Sequence, residues 1–267
     1  MGDPVVVLTF GGHDPSSGAG LAADAATLWA LGCYPIGVLT AVTVQNSRGV
    51  EGFSVLDPQL VADQAHALIR DFPVRAVKTG MLGSVGVVEA VVAVLDDIGR
   101  LPLVVDPVLV ADNGGSLSES GLTEALKQRL IPKATIVTPN IPEARALSGA
   151  DHPASMAERI RAHGCDGVLI TGTHDTTSPD IVHRWYPGDR DPTESRWPRI
   201  AGRFHGSGCT LAAAISAYLS RGVSADDAVR QGLQYTWDSI VRGVRPGSGQ
   251  HVPNRFFAAD HAYRPTT

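Results

Sequence analysis

The chain has 267 residues, 43% hydrophobic and 18% charged, a balance that suits one α/β domain or two small ones with material for a buried core. A net charge of -5, with Lys and Arg dispersed along the chain, argues against nucleic acid or an anionic membrane as a bulk partner. The three cysteines, Cys33, Cys165 and Cys209, form no CxxC pair and no Cys/His ligand spacing, which points to a reducing compartment rather than a disulfide framework. The N-terminus runs directly into VVVLTF, and no apolar stretch reaches the roughly 18 residues of a membrane span. The sequence therefore predicts a cytoplasmic location.

In chain order, Val5 to Phe10 reads as a buried strand, followed by a Gly/Ser loop and a helix from about Ala19 to Leu31. Tyr34 to Val44 is the next extended stretch. Asp57 and Pro58 cap a helix whose apolar stripe is Val61, Ala65, Leu68 and Phe72. AVKT (76–79) is a strand preceding a helix from Ser84 to about Asp96. LVV (103–105), TIVT (135–138) and GVLI (167–170) are short strands, each expected to lead through a loop into a helix. Asp175 to Arg203, rich in Pro, Gly, Asp and Trp, reads as a hairpin or surface excursion. Two helices close the chain, roughly Cys209 to Ser220 and Ala225 to Val244. No linker divides the sequence, so residues 1–267 are expected to form a single domain.

Strand, loop and helix in alternation predict a parallel sheet covered on both faces, with ligands at the carboxyl ends of the strands. The loops at 11–20, 80–81, 106–107, 140–143 and 171–174 all follow predicted strands.

FHGSGCTLAAAISAYLSRG (204–222) carries the sharpest local signal. Gly206, Ser207 and Gly208 lead into an alanine-rich helix whose first free N–H groups form an anion site. The plainer alternative is a glycine-rich helix start capped by Ser207 or Thr210. Cys209 sits where a helix N-terminus lowers a thiol pKa, although a buried inert cysteine is the commoner case. GGHDPSSGAG (11–20) is neither a Walker A loop nor G-x-G-x-x-G. It is either a helix start capped by Ser16 or Ser17, or a substrate loop with Asp14 as acceptor. Asp106 and Glu143 stand at separate strand ends and suit a Mg²⁺ with its waters, while each alone is equally a helix cap or surface charge. Gln45 and Asn46 offer amide groups to a polar heterocycle edge. Lys78 is structural or pairs with a carboxylate. His13, His174 and His205 show no metal spacing.

GGHDPSSGAG, TAVTVQNSRGV (40–50), VKTGML (77–82), VVDPVLVADNGGSL (104–117), TPNIPEA (138–144) and HGSGCTLAAAI (205–215) occur in that order. The ordered set resembles the hydroxymethylpyrimidine/phosphomethylpyrimidine kinase family of the ribokinase-like superfamily, from about Val5 to Gly222. The resemblance implies a ribokinase-like three-layer α/β/α sandwich around a mostly parallel sheet. It also implies transfer of the γ-phosphate of ATP, with Mg²⁺, to 4-amino-5-hydroxymethyl-2-methylpyrimidine and then to its monophosphate, in thiamine synthesis. Gln45 matches the position that bonds the aminopyrimidine, and Gly11, Asp14, Ala19, Val44 and Met81 match or lie beside the pocket walls. Asp106 matches the carboxylate near metal and phosphates, and Asn140 and Glu143 match an N-x-x-E metal-site motif. Asn140, Thr171, Gly172 and Gly208 fall on nucleotide-binding positions. Gly206, Ser207, Gly208 and Cys209 match the anion hole, where this branch places cysteine in the position of an aspartate base.

Thr171 stands where many relatives carry lysine, and Ser207 where threonine is common. The chain ends soon after Phe257, so no fused thiamine-phosphate synthase domain is expected. The class often forms homodimers. The rival readings are a pyridoxal kinase and a catalytically silent pyrimidine-binding protein.

Overall fold

A computed structural model describes residues 3–109, 120–174 and 178–258. Residues 110–117 of the 104–117 motif, and 175–177 of the predicted excursion, lie outside the described residues.

Nine strands form one sheet in the order β3-β2-β1-β4-β5-β6-β7-β8-β9. They are β1 (Val5–His13), β2 (Cys33–Asn46), β3 (Gly49–Val55), β4 (Val74–Thr79), β5 (Leu103–Val105), β6 (Ile136–Val137), β7 (Gly167–Ile170), β8 (Asp180–Pro187) and β9 (Thr193–Pro198). From β2 to β7 every neighbouring pair is parallel. The flanks are antiparallel: β3 folds back on β2, and β8 and β9 form a hairpin against β7.

Two expectations are corrected here. The stretch after Val44 does not simply leave the sheet, because β2 runs on to Asn46 and returns as β3 through a tight turn. GVLI (167–170) is followed by the β8–β9 hairpin and not by a helix; the hairpin alternative for the stretch after it holds, and that hairpin joins the sheet. The signal for both was weak, since β3 reads GVEGFSV and β9 reads TESRWP, polar strings that pair only along exposed edges.

The helices are α1 (Gly20–Ala30), α2 (Pro58–Ile69), α3 (Val85–Ile98), α4 (Leu122–Ala125, running into a π turn and a 3₁₀ turn to Lys133), α5 (Ile141–Ser148), α6 (Pro153–Arg161), α7 (Ser207–Leu219) and α8 (Ala225–Val241). Asp57 accepts a bond from Gln59 N at 2.7 Å with Pro58 at the first helical position, and Ser84 caps α3. Phe72 lies beyond the end of α2, and α8 stops three residues before Val244.

Strand alternation assigns the layers. Val6, Leu8 and Phe10 of β1 pack into a core with Val61, Val87, Val91, Leu147 and Ile160 from α2, α3, α5 and α6. Val7 points the other way, towards Leu28 of α1 and Ala213 and Ala217 of α7. Leu103 and Val105 share the first core, whereas Val104 joins Ile215 and Leu233 of α7 and α8. A sheet buried on both faces between two helix layers is the α/β/α sandwich that the sequence predicts. Its strand ends converge on one rim, where the site is built.

Candidate active site

A cavity of about 750 Å³ opens along that rim. Gly11, Asp14, Ala19, Gln45, Met81, Asp106, Asn140, Glu143, Thr171, Gly206, Ser207, Gly208 and Cys209 all contribute to its wall, so loops distant in sequence meet as expected. Val44 and Gly172 do not. Strand alternation leaves Thr43 and Gln45 facing inward while Val44 is 61% exposed on the outside of the hairpin. Val50, across the hairpin from Gln45, occupies the wall instead. The backbone of Gly172 lies packed against Val182 of β8 rather than in the wall.

The loop before α7 is fixed by its glycines. Gly206 has φ of 81°, and a Cβ there would fall 1.9 Å from Gly18 O in the opening loop, so only glycine fits. No side chain caps α7: neither Ser207 nor Thr210 does so, and Thr210 instead donates back to Gly206 O at 2.8 Å. The first turn of α7 thus meets the cavity wall without a side-chain cap. Asp106 confronts this loop, its Oδ2 lying 3.8 Å from where a Cβ on Gly208 would be.

Of the two readings left open for Cys209, a thiol lowered by the helix N-terminus and a buried one, burial dominates. Burial pushes its thiol up to about 12, reinforced by the negative charges of Asp24 and Asp106, against the opposing pull of Lys78 and a bond from the Gly20 amide. Desolvation outweighs the helix N-terminus, and the thiol keeps its proton at rest.

Lys78 pairs with a carboxylate, one of the two alternatives open for it: its Nζ lies 3.0 Å from Asp24 Oδ2, both side chains buried. Burial would strip its proton, but Asp24, with further help from the Cys209 sulfur and Asp106, holds the Lys78 pKa above its ordinary value. Asp24 was missed in the sequence. The signal was an aspartate on the buried side of the alanine-rich helix GLAADAATL, opposite the lone lysine of an apolar strand.

In the opening loop neither Ser16 nor Ser17 caps α1. Asp14 organises the turn, accepting from Ser16 N and Oγ at 2.8 and 2.7 Å and from Ala19 N at 2.8 Å. Its fourth partner is His205 Nε2, also at 2.8 Å. Burial alone would raise the Asp14 carboxyl, but the bonds from His205, Ser16 and Ala19 outweigh it and hold the group at about 2. Asp14 is thus a carboxylate, and the facing nitrogen of His205 must carry the proton. The same nitrogen lies 2.8 Å from the Gln45 amide. Gln45 places its Nε2 against His205, and its Oε1 accepts from Thr43 Oγ1 at 3.1 Å. His205, unassigned from sequence, therefore ties Gln45 of the hairpin to Asp14 of the opening loop.

Asn140 and Glu143 form a reciprocal capping box at the start of α5, with both bonds at 2.9 Å. The helix-cap alternative offered for Glu143 holds, with Asn140 as its partner in the cap, and both line the cavity as well. Asn140 also bridges to Thr171, bringing those two predicted nucleotide positions side by side.

Among the described residues no helix is long and apolar enough to cross a membrane.

The phosphomethylpyrimidine kinase family model matches residues 14–254. The chain belongs to this family. The hydroxymethylpyrimidine/phosphomethylpyrimidine kinase of Streptomyces coelicolor is 40% identical over 255 residues, covering 92% of each chain. The thiamine biosynthesis bifunctional protein of Geobacter sulfurreducens is also 40% identical, and this chain spans 53% of its length. Among solved structures, the pyridoxal kinase of Staphylococcus aureus in complex with pyridoxal superposes with a TM-score of 0.87 at 29% identity, covering 98% of this chain and 97% of that one. The family assignment, and the ribokinase-like architecture expected with it, agree with the resemblance seen in the ordered motifs.

Proposed function

We propose that this kinase uses ATP to phosphorylate the hydroxymethyl group of 4-amino-5-hydroxymethyl-2-methylpyrimidine, and then the resulting monophosphate, in thiamine synthesis. One observation supports this above the rest. A single cavity holds an amide suited to an aminopyrimidine edge at one end and, further along, an uncapped helix N-terminus facing a carboxylate. Gln45, Asp14, Met81 and Val50 form the acceptor end. Asn140, Thr171 and the 206–209 loop form the phosphate end. Thr171 supplies a neutral hydroxyl in place of a lysine, so the loop amides carry more of the phosphate charge.

The residues suit Mg²⁺ held mainly by substrate. No cluster of three or more His, Cys, Asp or Glu ligands occurs among the described residues. Mg²⁺ commonly keeps its waters and takes one or two carboxylates plus phosphate oxygens. Asp106, buried and facing Gly208, is the first such carboxylate; Glu143 is the second, with one oxygen engaged in the capping box. Bound there, the ion would neutralise nucleotide charge.

The amides of Ser207, Gly208 and Cys209 stabilise charge on the moving phosphoryl group. Cys209 takes the hydroxyl proton only as thiolate. Because the thiol holds its proton at rest, positioning and electrostatics supply more of the rate than the base does.

The superposition with a pyridoxal kinase favours a second reading, phosphorylation of pyridoxal. A coupled ATP-consumption assay with Mg²⁺ on hydroxymethylpyrimidine, its monophosphate and pyridoxal decides between them. Turnover of both pyrimidines with weak pyridoxal activity supports the first reading. Preferential pyridoxal turnover replaces it, and silence on all three would leave only a binding protein.

A further inference from the structure

Residues 244–255 form a segment that no sequence motif marked, and it touches three walls of the cavity. Val244 and Val252 pair across its own turn, and Gln250 N donates to Ser47 O at 2.7 Å at the tip of the β2–β3 hairpin. His205 N donates to His251 O at 2.8 Å, holding the loop before α7. The segment ends in Arg255, which is 6% exposed. Its backbone is pinned to α8, since Tyr235 Oη donates to Arg255 O at 2.6 Å and Asn254 N to Ser239 O at 2.9 Å.

The Arg255 guanidinium bonds three oxygens belonging to different parts of the site. Nη2 donates to Gly18 O in the opening loop at 2.5 Å and, at the longer distance of 3.5 Å, to Gly206 O in the phosphate loop. Nε donates to Thr210 Oγ1 in the first turn of α7 at 3.0 Å. None of these acceptors is a carboxylate, but Asp24 and Asp14 lie close enough to favour the buried charge against its desolvation. A planar fork can span three acceptors at fixed angles, whereas an ammonium cannot.

We propose that Arg255 is a positioning residue for phosphoryl transfer: it locks the opening loop to the phosphate loop, so that the acceptor hydroxyl and the anion hole are held in one geometry. This rests on the kinase reading above but not on the identity of the ring, because Arg255 binds the loops behind it.

The test uses Arg255→Lys, which keeps the charge and loses the fork, with Arg255→Gln beside it in case either variant folds poorly. Turnover is measured on whichever acceptor the wild-type enzyme uses best and divided by the number of ADP-binding sites found by calorimetry, which removes any unfolded fraction. Amide hydrogen exchange is followed in parallel at residues 14–20 and 205–210. The expected result is a fall in kcat per site of about 100-fold, the cost of a misplacement near 1 Å. KM for ATP and acceptor should stay within about threefold, and exchange should quicken in both loops while β1 and β4 remain protected. Wild-type kcat per site in Arg255→Lys, or unchanged exchange in either loop, overturns the proposal. If the wild-type enzyme phosphorylates none of the acceptors, the kinase reading falls by itself and the exchange result alone decides for Arg255.

Discussion

The parallel centre of the sheet and its antiparallel flanks build the cavity differently. In the centre each strand stops and the next residue or two enter the wall: Met81 after β4, Asp106 after β5, Thr138 after β6 and Thr171 after β7. On the flanks the wall is made mid-strand, by Thr43 and Gln45 of β2, His183 of β8 and Trp197 of β9. A strand end is set by local sequence, whereas an inward-facing residue on a flank depends on curvature and on what covers the edge. Substitutions in the centre should therefore act on chemistry or global stability, and those on the flanks on pH response and substrate closure.

The largest effect is expected at Cys209, where central loop and helix meet. Cys209→Ala should lower kcat by roughly 10²–10⁴, the range for losing a general base, while the melting temperature stays near wild type. A kcat near wild type would leave the whole rate to positioning and the loop amides.

The Lys78–Asp24 pair tests the centre for stability. Lys78→Met leaves Asp24 buried without its partner, and breaking a buried pair costs about 3–5 kcal/mol. Chemical denaturation should show this loss, and Lys78→Met combined with Asp24→Leu should recover part of it. Equal stability of the single variant and wild type would mean that the pair contributes little.

His183 carries the comparison to a flank. Burial pushes its pKa from 6.5 down to about 4, so it is neutral in the fold at pH values where the unfolded chain binds a proton. The sign follows: stability is full above pH 6.5, falls as pH drops towards about 4, and then levels off. That difference is worth roughly 3 kcal/mol. His183→Gln should flatten this part of the stability–pH curve measured by urea unfolding, and an unchanged slope would assign it to other groups.

The same division explains what the sequence disclosed. Strand ends and glycine loops could be placed because apolar runs stop abruptly at Asp106, Thr138 and Thr171, and because close-approach glycines cluster at 11–20 and 206–208. Asp24 and His205 were present in marked segments, but their roles come from partners 54 and 191 residues away. Arg255 was invisible, since nothing local distinguishes PNRFF from a surface tail. Val44 was misplaced because strand alternation gives the inward face to its neighbours Thr43 and Gln45 and turns Val44 outward. For Cys209 both a lowered and a buried thiol stood open, because the helix terminus is legible in sequence and the balance between it and burial is not.

The smallest effect is expected where the two flank devices meet, at the hairpin tip. Ser47 Oγ accepts from Gly249 N at 3.1 Å, and Arg48 Nε donates to Ser248 Oγ at 3.0 Å. Ser47→Ala removes the first bond and leaves Gln250 N on Ser47 O. A single exchanged hydrogen bond contributes about 1 kcal/mol, so the hold of residues 248–250 on the hairpin tip should weaken by at most about fivefold. Thr43, Gln45 and Val50 ride on that hairpin and line the acceptor end, whereas Asp106 and the 206–209 loop do not. The KM for the acceptor should therefore rise a few-fold in steady-state kinetics, with kcat and the KM for ATP unchanged. A fall in kcat instead would mean that the hairpin reaches the reacting groups, and that flank and centre are not separable in this enzyme.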